Sequence, residues 1–307
     1  MIQADHKRPL VSVVIPTYNH AHFLGRALQS VMDQTYSNWE AFVIDNHSTD
    51  GTDELVRKYP DPRIHLLKIH NGGVIAASRN LGLSRASGDW VAFLDSDDCW
   101  YARKLETIIA LIENGDDSDV FCHDEYVVQA RGGRKNIIRY GPATNDFYRV
   151  LLIEGNRLST SATVVRRQFI EQNQLRFDEW PDFVTVEDYG LWLELARTGA
   201  RFSFLRDVLG EYVIHDTNNS NRLARHWANT DTLLRHHVFT LQQFHPSPEI
   251  LWRTVSARLA LSRVRQALGG CQWQKALVQF AGVIRASPVS VLKYLIRRLA
   301  RHRTMFL

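Results

Sequence analysis

Short apolar, largely β-branched runs recur through the first 125 residues, separated by stretches whose apolar residues fall at helical spacing. The runs Leu10–Pro16, Trp39–Asp45, Ile64–Ile69, Trp90–Leu94 and Asp119–His123 predict strands. Between the first two, Phe23, Leu24, Ala27, Leu28, Val31 and Met32 share one helical face, and Leu55 and Val56 follow the cap-like Thr49-Asp50-Gly51-Thr52. Strand and helix in alternation predict βαβ units, hence an α/β fold with a mainly parallel sheet flanked by helices. Polar residues gather after three strands: Thr17, Tyr18 and Asn19; Asp45, Asn46 and His47; and Asp95 to Asp98. Ligands of open α/β sheets sit outside the carboxyl ends of strands, so these loops are expected to share one edge and one pocket.

From Tyr126 to Leu209 the pattern is mixed. Arg131-Gly132-Gly133-Arg134 reads as a hairpin turn, and Tyr189–Ala196, after Glu187-Asp188, as a short helix ending near Gly199. Beyond Asn221 the chain reads as helices broken at Pro246-Ser247-Pro248, Gly269-Gly270 and Ser287-Pro288. The expected division is 1–216, with halves 1–125 and 126–216, followed by a helical basic extension, 217–307.

The 307 residues, 45% hydrophobic and 23% charged, suit a large α/β domain with an appendage and point away from disorder or a membrane bundle. Cys99, Cys122 and Cys271 are too few and too scattered for a disulfide framework or a cysteine-based zinc site, so free thiols are expected. No stretch reaches the roughly 18–20 apolar residues that span a bilayer. Leu10–Ile15 before Pro16 is too short for a signal sequence, and a cytoplasmic protein is expected. Residues 1–120 hold 11 Lys/Arg against 17 Asp/Glu, whereas residues 250–307 hold 11 Lys/Arg and no acid, so the tail carries the basic balance.

Three carboxylates within four positions, Asp95, Asp97 and Asp98, close an apolar strand and resist burial together, which a cation would relieve. They are hard oxygen donors of the kind that hold Mg2+ or Mn2+, completed by substrate phosphates. A solvated acidic turn is the plain alternative. Tyr18 offers a face to a base, with Asp45 or Asn46 as acceptor. Asn71-Gly72-Gly73 running into Ala76–Asn80 reads as a glycine turn entering a helix, where Arg79 meets either phosphate or one of the aspartates. Acids at a helix start such as Glu187-Asp188 are favoured by the macrodipole alone. His215 is either structural or a ligand for metal or phosphate.

Taken in order, Val11–Asn19, Val43–Thr52, Asn71–Asn80, Phe93–Asp98 and Glu187-Asp188 resemble family 2 glycosyltransferases over about residues 9–215. The resemblance implies a GT-A fold that binds a nucleotide-diphosphate sugar and transfers the sugar with inversion. On it, Pro16, Thr17, Tyr18, Asn19, Asp45 and Asn46 line the nucleotide, with Arg79, Asp95 and Ser96 also on the donor. Asp97, Asp98 and His215 hold the metal. Asp188 is the general base, with Glu187 and Trp192 beside the acceptor. Relatives often carry two successive acids where this chain has Asp45-Asn46, which weakens the base assignment; UDP or dTDP sugars are favoured over GDP sugars. The Gln/Arg-x-x-Arg-Trp signature of processive relatives is missing, so single addition to a glycan or lipid-linked acceptor in surface polysaccharide synthesis is expected. Two other readings are a sugar-phosphate nucleotidyltransferase and a non-catalytic carbohydrate-binding protein.

In 288–303, Val289, Leu292, Ile296 and Leu299 share a helical face, with Lys293, Arg297, Arg298 and Arg301 largely elsewhere. Such a helix either lies on an anionic membrane surface, as a peripheral protein would, or closes the C-terminal core. Nucleic acid is not an expected partner, because no recognised module accompanies the charge. Pairing of two copies through the C-terminal helices is left open.

Overall fold

The computed structural model describes residues 8–129, 135–142, 144–215, 223–269 and 272–286. In chain order it forms β1 (Val11–Thr17), α1 (Ala21–Met32), β2 (Trp39–Asp45), α2 (Thr52–Arg57), β3 (Ile64–Lys68), α3 (Ile75–Arg85), β4 (Trp90–Phe93), β5 (Cys99–Trp100) and α4 (Lys104–Glu113). β6 (Val120–Gln129), β7 (Asn136–Ile138), α5 (Phe147–Glu154), β8 (Thr163–Arg166), α6 (Arg167–Gln172), α7 (Glu187–Arg197) and β9 (Phe202–Ile214) follow. The chain then continues as α8 (Leu223–His236), α9 (Pro248–Gly269) and α10 (Trp273–Ala286). The expected strands are present with small shifts at their ends, except that β6 runs well past His123.

The sheet order is β3-β2-β1-β4-β8-β6-β9-β5, with β7 paired to β6. The four strands of the first half are parallel to one another. Every residue of β1 is buried, as a central strand covered on both faces requires. α3 lies close on it: a Cβ at Gly82 would come 2.4 Å from Cγ1 of Val14, so glycine is needed for that approach. Beyond β4 the sheet is mixed. β8 pairs antiparallel with both β4 and β6, β6 pairs parallel with β9, and β5 returns antiparallel on β9. The sheet is therefore parallel in its first half and mixed elsewhere, less uniformly parallel than the run pattern predicts.

The chain separates into two compact units, Met1–Asn145 with Arg157–His226 and Asp146–Asn156 with Trp227–Leu307. The boundary falls after the expected residue 216, and α5 groups with the C-terminal helices. In that second unit Tyr148 and His237 share a 3.0 Å hydrogen bond, and Trp227 donates to Gln266 at 2.7 Å. The turn at 131–134, Cys271 and the basic stretch 288–303 lie outside the described residues. Cys99 and Cys122 are free thiols, and burial pushes the latter up to about 12. Among the described residues no helix is long and apolar enough to cross a membrane.

Candidate functional site

Parallel register brings the ends of β1 and β2 level, Thr17 opposite Asp45, and the turn at Asp95 follows β4 beside them. The loops after β1 and β2 are stitched together. Asn46 N–H donates to Thr17 O at 3.0 Å, Asn19 N–H to Ser48 Oγ at 2.8 Å, and Thr49 N–H to Asn19 Oδ1 at 2.8 Å. Asn19 and His47 both take φ 52°, the left-handed turn conformation, and His47 stacks on His70 at 3.7 Å.

This stitching gives several residues of the expected nucleotide set partners within the protein. Asp45 is fully buried and receives Ser48 N–H, the Ser48 hydroxyl and the Lys68 ammonium, the last at 2.6 Å, so it anchors its loop. Pro16 is buried in β1, and Asn19 spends its side chain on Thr49. Tyr18 remains, 56% exposed, together with the buried Thr17 hydroxyl, which has no protein partner. Asn46 points its amide oxygen at Asn71 N–H, 3.0 Å away. Of the two ends of the Asn46 amide only the oxygen accepts, so its NH2 group faces elsewhere as a donor.

The three aspartates after β4 fan apart. Asp95 pairs with Nη2 of Arg79 at 2.7 Å. Asp97 accepts from Nε2 of His215 at 2.7 Å, at the end of β9. Asp98 turns inward, 2% exposed: its Oδ2 accepts the Ser161 hydroxyl at 2.5 Å and its Oδ1 accepts Val213 N–H at 2.8 Å. Burial, with Asp97 and Glu125 near, drives the Asp98 pKa well above the carboxylate range. Asp98, expected as a metal ligand, is thus a clamp between the acidic turn and β9. Among the described residues no group of three or more His, Cys, Asp or Glu side chains is arranged to hold a metal.

Asp97 and His215 nevertheless fit a divalent ion that takes few protein donors and completes its shell with phosphate and water. Burial and the charge of Asp95 raise the Asp97 pKa, while the His215 hydrogen bond opposes that. Phe23 of α1 stacks on the His215 ring at 4.5 Å and fixes its plane. His20 stands edge-on to it at 5.8 Å and shares a 3.1 Å hydrogen bond with Ser96, which is buried and faces His20.

Arg79, expected on the donor or on an aspartate, is paired with Asp95. Its side chain is 4% exposed and spans from Asp95 to Glu187, which accepts Nη1 at 2.9 Å. Burial works against its charge, but Asp95 and Glu187 hold it protonated. Glu187, expected beside the acceptor, gives Oε1 to this bridge and is buried at 6% exposure, its Oε2 without a hydrogen-bond partner. Asp188, next along the first turn of α7, stays half-buried. Burial raises its pKa, Arg79 lowers it and Asp95 raises it further, for a net upward shift. Trp192 corrects another expectation: it is fully buried, packed against Phe93 and Phe177, and belongs to the core.

Sequence reasoning missed the supports. Ser161 takes Asp95 N–H on its hydroxyl at 3.1 Å, and its carbonyl accepts the Lys104 ammonium at 2.6 Å. Lys104 is fully buried, its ammonium 3.6 Å from the centre of the Trp100 ring, and burial pulls its pKa well down. A lysine that opens an amphipathic helix gives no sequence signal of burial. Phe23 is legible in the sequence only as one position of a helical face.

Residues 12–174 match the family described as glycosyl transferase family 2. TuaG of Bacillus subtilis, named for teichuronic acid biosynthesis, is 31% identical over 219 residues, covering 70% of this chain and 83% of its own. The Escherichia coli UDP-Glc:alpha-D-GlcNAc-diphosphoundecaprenol beta-1,3-glucosyltransferase WfgD is 35% identical over 193 residues, 61% of this chain and 70% of its own. Among solved structures, Staphylococcus aureus TarS 1-349 in complex with UDP-GlcNAc matches with TM-score 0.64 at 21% identity, over 90% of this chain and 79% of that one. The mannosyltransferase PcManGT from Pyrobaculum calidifontis, in complex with GDP-Man and Mn2+, matches with TM-score 0.58 at 21% identity, over 96% and 81%. At those identities the structures speak for the fold, and with the family match spanning more than half of the 307 residues the chain belongs to glycosyl transferase family 2, a glycosyltransferase on a GT-A fold.

Proposed function

We propose that the protein moves the sugar of a UDP-sugar, one residue at a time and with inversion, onto a hydroxyl of a lipid-linked glycan in surface polysaccharide synthesis. The reading rests on one observation above all: Arg79 ties the acidic turn at Asp95 to Glu187, and so fixes the first turn of α7, where Asp188 stands. Asp188 takes the proton of the acceptor hydroxyl as its oxygen attacks the anomeric carbon. The bond from that carbon to the diphosphate oxygen breaks with its electron pair leaving on the nucleotide. The raised pKa of Asp188 suits a base that must hold the proton it takes.

Asp97 and His215 are the residues that would hold Mn2+ or Mg2+, and such an ion supplies charge neutralisation to the departing diphosphate. Tyr18, Thr17 and the Asn46 amide are the protein's groups for the nucleoside. The names of WfgD and of the TarS complex favour UDP and, for WfgD, a diphospholipid acceptor. A location on the cytoplasmic side suits both substrates.

The test is turnover of UDP-sugars with Mn2+, with chelator, and in Asp97→Ala. The reading expects chelator and substitution each to lower turnover by on the order of 100-fold. Turnover indifferent to chelator would remove the metal, and pyrophosphate release from a nucleoside triphosphate would turn the assignment to a nucleotidyltransferase.

A further inference from the structure

Ser161, in the turn before β8, is 1% exposed, and its hydroxyl holds both ends of the acidic turn. It donates to Asp98 Oδ2 at 2.5 Å and accepts Asp95 N–H at 3.1 Å, across a turn that Asp98 N–H closes on Asp95 O at 3.0 Å. A hydroxyl has one proton, and with that proton on Asp98 its oxygen is left as an acceptor, so each bond fixes the direction of the other. The residue is braced from behind. Its carbonyl accepts the Lys104 ammonium at 2.6 Å and the Trp100 indole N–H at 2.8 Å, both from buried side chains.

Asp97 lies between the two pinned residues. The Asp98 side chain also accepts Val213 N–H at 2.8 Å, two positions before His215, and the His215 ring in turn bonds Asp97 at 2.7 Å. One hydroxyl thus reaches, through Asp98, both the residue before it and the histidine after β9. We propose that Ser161 is a positioning residue for the divalent ion: without binding ion or nucleotide itself, it sets how Asp97 and His215 stand toward each other. The proposal rests on the reading that these two residues hold the ion. Groups that orient metal ligands from behind change metal affinity by roughly 10–100-fold when removed. A buried hydroxyl that serves stability alone would move the melting temperature and leave ion binding as it was.

Calorimetry on the full chain measures Mn2+ binding in the presence of UDP, and UDP binding in chelator, alongside the melting temperature. Ser161→Ala is expected to weaken Mn2+ binding at least about tenfold, with UDP affinity in chelator as in the parent. Ser161→Cys, close to serine in volume but a poorer donor, is expected to show a smaller loss, and it carries the test if the alanine variant does not fold. Ser12→Ala is the comparator. It removes the same pair of bonds at the start of β1, where a buried hydroxyl donates to Glu40 at 2.6 Å and accepts Gly88 N–H at 2.9 Å, and Mn2+ binding is expected to stay at the parent value. Parent or tighter Mn2+ binding in the Ser161 variants overturns the proposal, whatever their melting temperatures. An equal loss in Ser12→Ala overturns it too, since the effect would then be one of general stability. A parent chain that binds no Mn2+ with UDP removes the assignment of the ion to Asp97 and His215, and the proposal with it.

Discussion

The two halves of the sheet in the first unit hold their polar residues in place by different means. Around β1 to β4, neighbouring βα units bring the loops together, and partners sit on strand ends that parallel pairing already sets level. Asp45 is satisfied by Ser48 three residues on and by Lys68 on the next strand. In the mixed half, β6, β8, β9 and α7 come from far apart in the chain, and buried polar side chains join them. Asp98 reaches Ser161 and Val213, Lys104 reaches Ser161, and Arg79 reaches Glu187. The first half supplies the loops proposed for the donor, the second carries Asp188, and Arg79 is the strut between them.

The strut is where the comparison breaks most easily. Arg79→Gln leaves Glu187 and Asp95 near each other without their cation, and a loss of about 3–5 kcal/mol in urea unfolding is expected. The same variant sharpens the account of Asp188. Burial already lifts the Asp188 pKa and Arg79 restrains it. Removing that positive charge disfavours the carboxylate further, so the acid limb of the transfer rate against pH should move to higher pH. A limb that stays put or moves down means Asp188 is not the group titrating.

The parallel half should yield instead to steric change. Gly82→Ala forces a Cβ against the branched Val14 side chain and should cost about 1–3 kcal/mol, with no shift in the pH profile. Smallest of all is Asp98→Asn. Burial holds the Asp98 carboxyl toward its neutral form, and an amide keeps the bond from Val213 N–H, so stability should change by less than about 1 kcal/mol and metal-dependent turnover should persist. Loss of metal response in Asp98→Asn would return that residue to the ligand set.

The same contrast explains what the sequence discloses. β1, β2 and β4 are legible because each is a continuous apolar run between turn residues, and their polar tips follow from parallel topology. Glu187-Asp188 is legible as a helix start. β8 and β9 are not, because no regular alternation of strand and helix frames them, and only the mixed pairing that sets Cys122 opposite Thr163 and Phe204 reveals them. The inward turn of Asp98 is hidden for a related reason. Three acids in four residues read alike until Ser161 and Val213 single one of them out. Trp192 misleads because aromatic residues near a catalytic acid serve core and ligand equally well, and only packing against Phe93 and Phe177 decides.

The central claim is that Asp188 takes the acceptor proton while the donor is held by other groups. It is tested most directly by measuring, in Asp188→Asn, both UDP affinity by calorimetry and sugar transfer in a single turnover. The account predicts UDP affinity as in the parent and transfer lower by on the order of 1,000-fold. Transfer at the parent rate with UDP bound would contradict it.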